Sequence, residues 1–101
     1  MKTKSIGEFL EEVKKIPICL KITTSETPNT VTEVNLGVNP DAILVDNRDS
    51  GHLYISFDGV NFKEVAPFTT IWLYNTGVLG ANKIWVKSEK SLNTAEVIVL
   101  Y

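Results

Sequence analysis

One histidine, His52, and one cysteine, Cys19, are the side chains of this sequence best suited to proton transfer or nucleophilic attack near neutral pH. A Ser-His-Asp arrangement would rest wholly on His52, and no G-x-S-x-G turn is present to raise a serine above a sheet. A zinc centre of the usual kind needs more His and Cys ligands than one of each. His52 reads as a strand-edge residue, and Cys19 as a small packed or half-exposed one. The run Asp46-Asn47-Arg48-Asp49-Ser50-Gly51 begins like a calcium loop. Arg48, however, stands at a ligand position, and Phe57 stands where the bidentate glutamate belongs, so the run reads as a turn. Most carboxylates fall in the N-terminal segment or in turns, where solvation accounts for them. Gly77 and Gly80 make only a weak G-x-x-G. The expectation is no catalytic group, no metal and no cofactor.

Binding chemistry is better represented. Tyr54, Trp72, Tyr74 and Trp85 each lie in an alternating run, on the side opposite its aliphatic residues. Such rings bury well in protein interfaces and also stack on sugars.

Totals narrow the classes. The chain has 101 residues, enough for one core and not two. Hydrophobic residues make up 44% and charged residues 22%, ordinary values for a globular domain. The net charge is −2 and the lysines are scattered, so there is no basic patch for nucleic acid. One cysteine forms no internal disulfide. No apolar run approaches the roughly 20 residues of a membrane span. Charges at Glu8, Glu11, Glu12, Lys14 and Lys15 interrupt the segment where an export signal would be apolar. A protein made in the cytoplasm, without a cleaved export signal or membrane contact, is expected.

The elements that must position the aromatic residues follow from periodicity. Ser5 with Glu8 has capping-box spacing, and Ile6, Phe9, Leu10 and Val13 recur at helical intervals. A short amphipathic helix is predicted from Ser5 to Lys15, stopped by Pro17. About three turns are marginal alone, so this helix needs a sheet or another chain to dock on. From residue 18 the period becomes two. Strand-like runs lie at Ile18–Thr23, Glu33–Val38, His52–Phe57, Val60–Val65, Thr70–Asn75, Ile84–Ser88 and Ala95–Tyr101, with a short continuous apolar strand at Ile43–Val45 and turn-forming residues between them. Asp58-Gly59 predicts a tight type I′ hairpin. The expected fold is mainly β: an antiparallel β-sandwich of seven or eight short strands, jelly-roll-like or Ig-like, over residues 18–101, with a helical arm over 1–17.

The strands carry more than one apolar face, whereas a half-buried antiparallel strand reads apolar on one side and polar on the other. The helix or a loop could cover the second face. Alternatively Ile6, Phe9, Leu10 and Val13, with Tyr54, Trp72, Tyr74 and Trp85, form surfaces for other subunits. Sugar stacking is a third use of the same rings.

The stretch Leu53-Tyr54-Ile55-Ser56-Phe57-Asp58-Gly59-Val60-Asn61-Phe62-Lys63-Glu64-Val65 resembles a recurring segment of small bacteriophage virion proteins. Lys83-Ile84-Trp85-Val86-Lys87 and Glu96-Val97-Ile98-Val99-Leu100-Tyr101 correspond to its closing strands, and Ile43-Leu44-Val45-Asp46-Asn47 to the strand before it. The resemblance covers about the last 60 residues and is carried by hairpin and core positions. It implies a virion structural protein, such as a capsid decoration, head-fibre, collar or tail component, assembled in the host cytoplasm. Implied partners are copies of itself and a major capsid, tail or collar protein. A carbohydrate-binding module is the competing expectation. A small enzyme has least to stand on, with one histidine, one cysteine and no phosphate loop.

Overall fold

Period-two alternation becomes eight strands in the computed structural model, which describes residues 17–75 and 82–101. They are β1 Ile18–Thr23, β2 Thr32–Asn35, β3 Ala42–Asn47, β4 Leu53–Ser56, β5 Lys63–Val65, β6 Thr70–Tyr74, β7 Lys83–Ser88 and β8 Thr94–Leu100. The predicted helix Ser5–Lys15, with Ile6, Phe9, Leu10 and Val13, lies outside the described residues, as does most of the loop predicted at 76–82.

The strands form two four-stranded antiparallel sheets, ordered β1-β8-β3-β6 and β2-β7-β4-β5. The pairing is nested: β1 with β8, β2 with β7, β3 with β6 and β4 with β5. Two further ladders, β3 with β8 and β4 with β7, join these pairs into sheets. The chain is thus one long hairpin of four strand pairs, with alternate pairs assigned to different sheets.

Both sheets contribute to one apolar core. Ile22, Ile43, Val45, Val97 and Val99 come from the first sheet, and Leu53, Ile55, Val65, Ile84 and Val86 from the second. All ten are buried, and Ile43, Val45, Leu53, Val65, Ile84, Val86, Val97 and Val99 have no exposed surface. Burying a Val, Leu or Ile side chain contributes about 1.5–3 kcal/mol, so these alternating positions dominate the stability of the fold. β-Branched residues at most of them suit a pleated surface.

Three local expectations are corrected. The Asp58-Gly59 turn is not a two-residue type I′ turn. The last β4–β5 pair is Ile55 with Lys63, which leaves a wider loop, and only Gly59 of the two has positive φ, at 80°. The Ser56 hydroxyl accepts from the Asp58 and Gly59 amides, and the Asp58 carboxylate accepts from the Val60 and Asn61 amides. These side chains satisfy the backbone groups that a tight turn would have paired. β5 accordingly starts at Lys63 instead of Val60. β2 ends at Asn35 although alternation continues to Val38, because Gly37 turns the chain at φ 75° and its amide bonds the Asn35 side chain at 2.8 Å.

Candidate functional site: the outer face of the first sheet

Strand register arranges the outward residues of β1, β8, β3 and β6 in rungs across the sheet. One rung is Lys21, Glu96, Asp46 and Thr70. The next is Cys19, Ile98, Leu44 and Trp72. The third holds Leu100, Ala42 and Tyr74. The face is therefore divided into a charged end and an apolar end.

Within the charged rung, Arg48 bridges the carboxylates Asp46 and Glu96. Arg48 Nε lies 2.8 Å from Asp46 Oδ2, and its Nη2 lies 3.0 Å from Glu96 Oε2. The hydrogen bond to Glu96, then the charge of Asp46, raises the Arg48 pKa. Thr70 donates its hydroxyl to Asp46 Oδ1 at 3.1 Å.

The apolar rungs have no such cover among the described residues. Trp72 is 51% exposed and Tyr74 69% exposed. Cys19 is exposed, Leu44, Ile98 and Leu100 are half-buried, and Ala42 is buried between its neighbours. Trp72 and Tyr74 stand two residues apart on β6, an edge strand, so both rings project from the same side. A band of this kind, reaching across four strands, is the type of surface that marks a contact with another molecule.

Tyr54 and Trp85 are placed elsewhere. They lie on the outer face of the second sheet, on β4 and β7, and do not join Trp72 and Tyr74. Their chain already covers them in part. The Asp58–Gly59 loop folds over the indole so closely that a Cβ on Gly59 would stand 3.3 Å from two ring atoms of Trp85. Tyr54 donates its hydroxyl to Glu89 Oε1 at 2.9 Å, which, with burial, raises its pKa. Lys87 Nζ lies 4.4 Å from the centre of the Phe62 ring and 5.8 Å from that of Tyr54. The four aromatic residues singled out in the sequence are two pairs on two sheets, and the pair on β6 is the open one.

His52 and Cys19 do not meet a catalytic arrangement. The His52 ring bonds Glu64 Oε1 through Nδ1 at 2.5 Å, and it is the His52 carbonyl that accepts from Ser88 Oγ. Among the described residues no three His, Cys, Asp or Glu side chains gather as a metal site. The Asp46–Gly51 segment is a structural turn. Asn47, fully buried, donates to the carbonyls of Gly51 at 2.8 Å and Val65 at 3.0 Å. Asp49 bonds Lys90 and the Ser50 and Thr94 amides, and these contacts hold its carboxyl well below the usual range.

Leu44, Ile98 and Leu100 were not singled out as site residues. The signal for Leu44 was the unbroken run Ile43-Leu44-Val45, whose middle residue must face away from the core if its neighbours face it. Comparisons with protein-family models, curated proteins and solved structures find no match to this chain.

Proposed function

We propose that this chain is a virion structural protein, a capsid decoration or head/tail accessory protein of a bacteriophage, which acts by protein–protein binding and not by catalysis. Its surface for that role is the apolar end of the outer β1-β8-β3-β6 face. The carrying observation is the two-rung band Cys19–Ile98–Leu44–Trp72 and Leu100–Ala42–Tyr74, which no described residue covers, beside a charged rung whose carboxylates Asp46 and Glu96 are bridged by Arg48. We read the two sheets as the halves of a jelly-roll sandwich, since nested pairing with alternation between sheets is that topology. Virus capsid domains commonly use it, which supports the assignment by analogy of fold alone. Weak contacts suffice for such a protein, because many symmetric copies add their affinities.

The test mixes the purified chain with particles assembled without it and sediments them. Wild type is expected to co-sediment at micromolar concentration and Trp72→Glu to stay in the supernatant while remaining folded. Absence of wild type from the pellet would count against the proposal.

A carbohydrate-binding role has one specific observation in its favour: Trp72 and Tyr74 form an exposed aromatic ledge on an edge strand. Quenching of tryptophan emission by added sugars, lost in Trp72→Ala, would move the assignment to that class.

A further inference from the structure

Four strands end the two sheets: β1 and β6 in the first, β2 and β5 in the second. An open strand edge presents unpaired N–H and C=O groups, and proteins usually guard it with charge or proline. β1 carries Lys21, β2 carries Glu33, and β5 carries Lys63 and Glu64. β6 reads Thr70-Ile71-Trp72-Leu73-Tyr74, with no charge and no proline. Its Trp72 and Tyr74 are exposed, and its Ile71 and Leu73 are only half-buried. All eight strands are already placed in the two sheets, so among the described residues no strand is left to cover this edge from within the chain.

The ladder to β3 fixes which backbone groups of β6 point outward. The Asn47 amide donates to the Thr69 carbonyl and the Asn75 amide to the Asp41 carbonyl, each at 2.9 Å. Between these two contacts the register sets Val45 against Ile71 and Ile43 against Leu73. Opposed residues of an antiparallel pair alternate between hydrogen-bonded and non-hydrogen-bonded. Ile71 and Leu73 therefore turn their backbone groups toward β3, while Thr70, Trp72 and Tyr74 turn theirs to the free edge. Those three residues are spaced symmetrically about Trp72, so the edge is complementary to itself.

We propose that β6 pairs antiparallel with β6 of a second copy, about a two-fold axis at Trp72. Trp72 then opposes its own counterpart, and Thr70 opposes the counterpart of Tyr74. Each edge offers one N–H and one C=O from each of its three outward residues. This register uses all of them, in six hydrogen bonds between the copies. Sliding one strand by two residues leaves Thr70 or Tyr74 unmatched in each copy, and sliding it by one sets outward groups against residues that face β3. Side chains agree with the same register. Ile71 meets Leu73 on the core side, the indole rings meet on the outer side, and no like charges are opposed. A two-fold contact of this kind closes on itself and stops at the dimer. The two four-stranded sheets become one of eight strands, and their apolar outer bands become continuous. The inference goes beyond the virion role proposed above and does not depend on it.

A strand pair of this length buries less than the about 1,600 Å² of a standard interface. Association of the full chain is therefore read by sedimentation equilibrium over a concentration series, up to about 500 μM. Wild type is expected to approach the mass of two chains, against 11.2 kDa for one. Thr70→Pro removes an outward amide at the first residue of an edge strand, where proline is tolerated, and leaves the β3 ladder intact. Thr70→Ala loses the same side chain and keeps the amide. Thr70→Ala is expected to associate within a few-fold of wild type, and Thr70→Pro about tenfold more weakly or worse. Disulfide trapping in a Cys19→Ser background reads the register independently, should Thr70→Pro fail to fold. Opposed Cα atoms of a hydrogen-bonded pair stand about 5.5 Å apart, within disulfide reach, so Trp72→Cys is expected to link two chains under oxidising conditions. Tyr74→Cys is expected not to, since its counterpart would lie about 13 Å away.

A wild type that stays monomeric throughout the series overturns the inference. So does equal association of Thr70→Pro and Thr70→Ala, and so does linkage through position 74 in preference to position 72. A monomer that nevertheless co-sediments with particles would sink edge pairing alone. An edge-paired dimer that ignores particles would sink only the virion role.

Discussion

Asn93 Nδ2 donates to Asn47 Oδ1 at 2.9 Å, with both side chains fully shut off from solvent. Around this bond, Ser88 Oγ reaches Asn93 Oδ1 at 3.3 Å and the Asn93 amide reaches Thr24 Oγ1 at 2.9 Å. Four separate segments are thereby tied together at one end of the sheets, and no buried side-chain polar atom among the described residues lacks a partner.

Asn47→Ala should therefore be among the costliest substitutions. It orphans the Gly51 and Val65 carbonyls and one Asn93 donor. Unsatisfied buried groups cost about 1–3 kcal/mol each, so a loss of about 3 kcal/mol is expected. A urea midpoint close to wild type would contradict the proposed lock.

Two glycines give a contrast. A Cβ on Gly51 would overlap Asn93 Oδ1 and Lys90 Cβ, and stand 3.0 Å from Ser88 Oγ. A Cβ on Gly37 would meet nothing within 4 Å, but its φ is 75°. Gly51→Ala is expected to cost more than about 2 kcal/mol through displaced network atoms, and Gly37→Ala about 1 kcal/mol through backbone conformation alone. Equal thermal shifts in the two variants would refute the steric account.

Acid should open the Asp58 loop. Hydrogen bonds from the Asn61 and Val60 amides, with the Asn61 and Ser56 side chains, hold the Asp58 carboxyl well below its usual range. A carboxyl whose folded pKa lies below the unfolded value, about 3.9, stabilises the fold fully above that value. The contribution fades as pH falls from about 4 downward. Because Gly59 lies on the Trp85 ring, Trp85 emission reports the change. In Trp72→Phe protein the emission should hold through pH about 4 and shift only well below it, where the folded carboxyl takes up its proton. Asp58→Asn should show part of that shift already at neutral pH, and an unchanged spectrum would count against the loop's dependence on charge.

The two tryptophans should separate stability from binding. Trp72→Ala removes a ring that is 51% exposed, so unfolding should change by less than about 1 kcal/mol. Trp85→Ala strips the surface on which the Asp58–Gly59 loop packs and should cost about 2 kcal/mol or more. Denaturant midpoints with the order reversed would show that the open face is on the second sheet.

Much of this arrangement was legible in the sequence. Strand positions follow from alternation, since Ile43 and Val45, Leu53 and Ile55, and Val97 and Val99 can share a core only in extended chain. Sheet membership was not legible. Alternation says which side of a strand Trp72 and Trp85 occupy, not which sheet holds the strand, so four rings that look like one surface proved to be two pairs. The nested pairing joins residues as distant as Ile18 and Val99, which no local pattern encodes. The Asp58-Gly59 loop departs from a two-residue turn because Ser56 and Asp58 bond its amides themselves, a competition that the Asp-Gly pair alone does not reveal.

Side-chain oxidation by hydroxyl radicals, compared between the isolated chain and the particle-bound one, tests the central claim most directly. Trp72 and Tyr74 are expected to react readily in the free chain and to be protected on assembly, while the exposed loop residues Val60 and Phe68 keep their reactivity. Undiminished oxidation of Trp72 and Tyr74 in the assembled state, with protection appearing at Val60 or Phe68 instead, would contradict the assignment of this face.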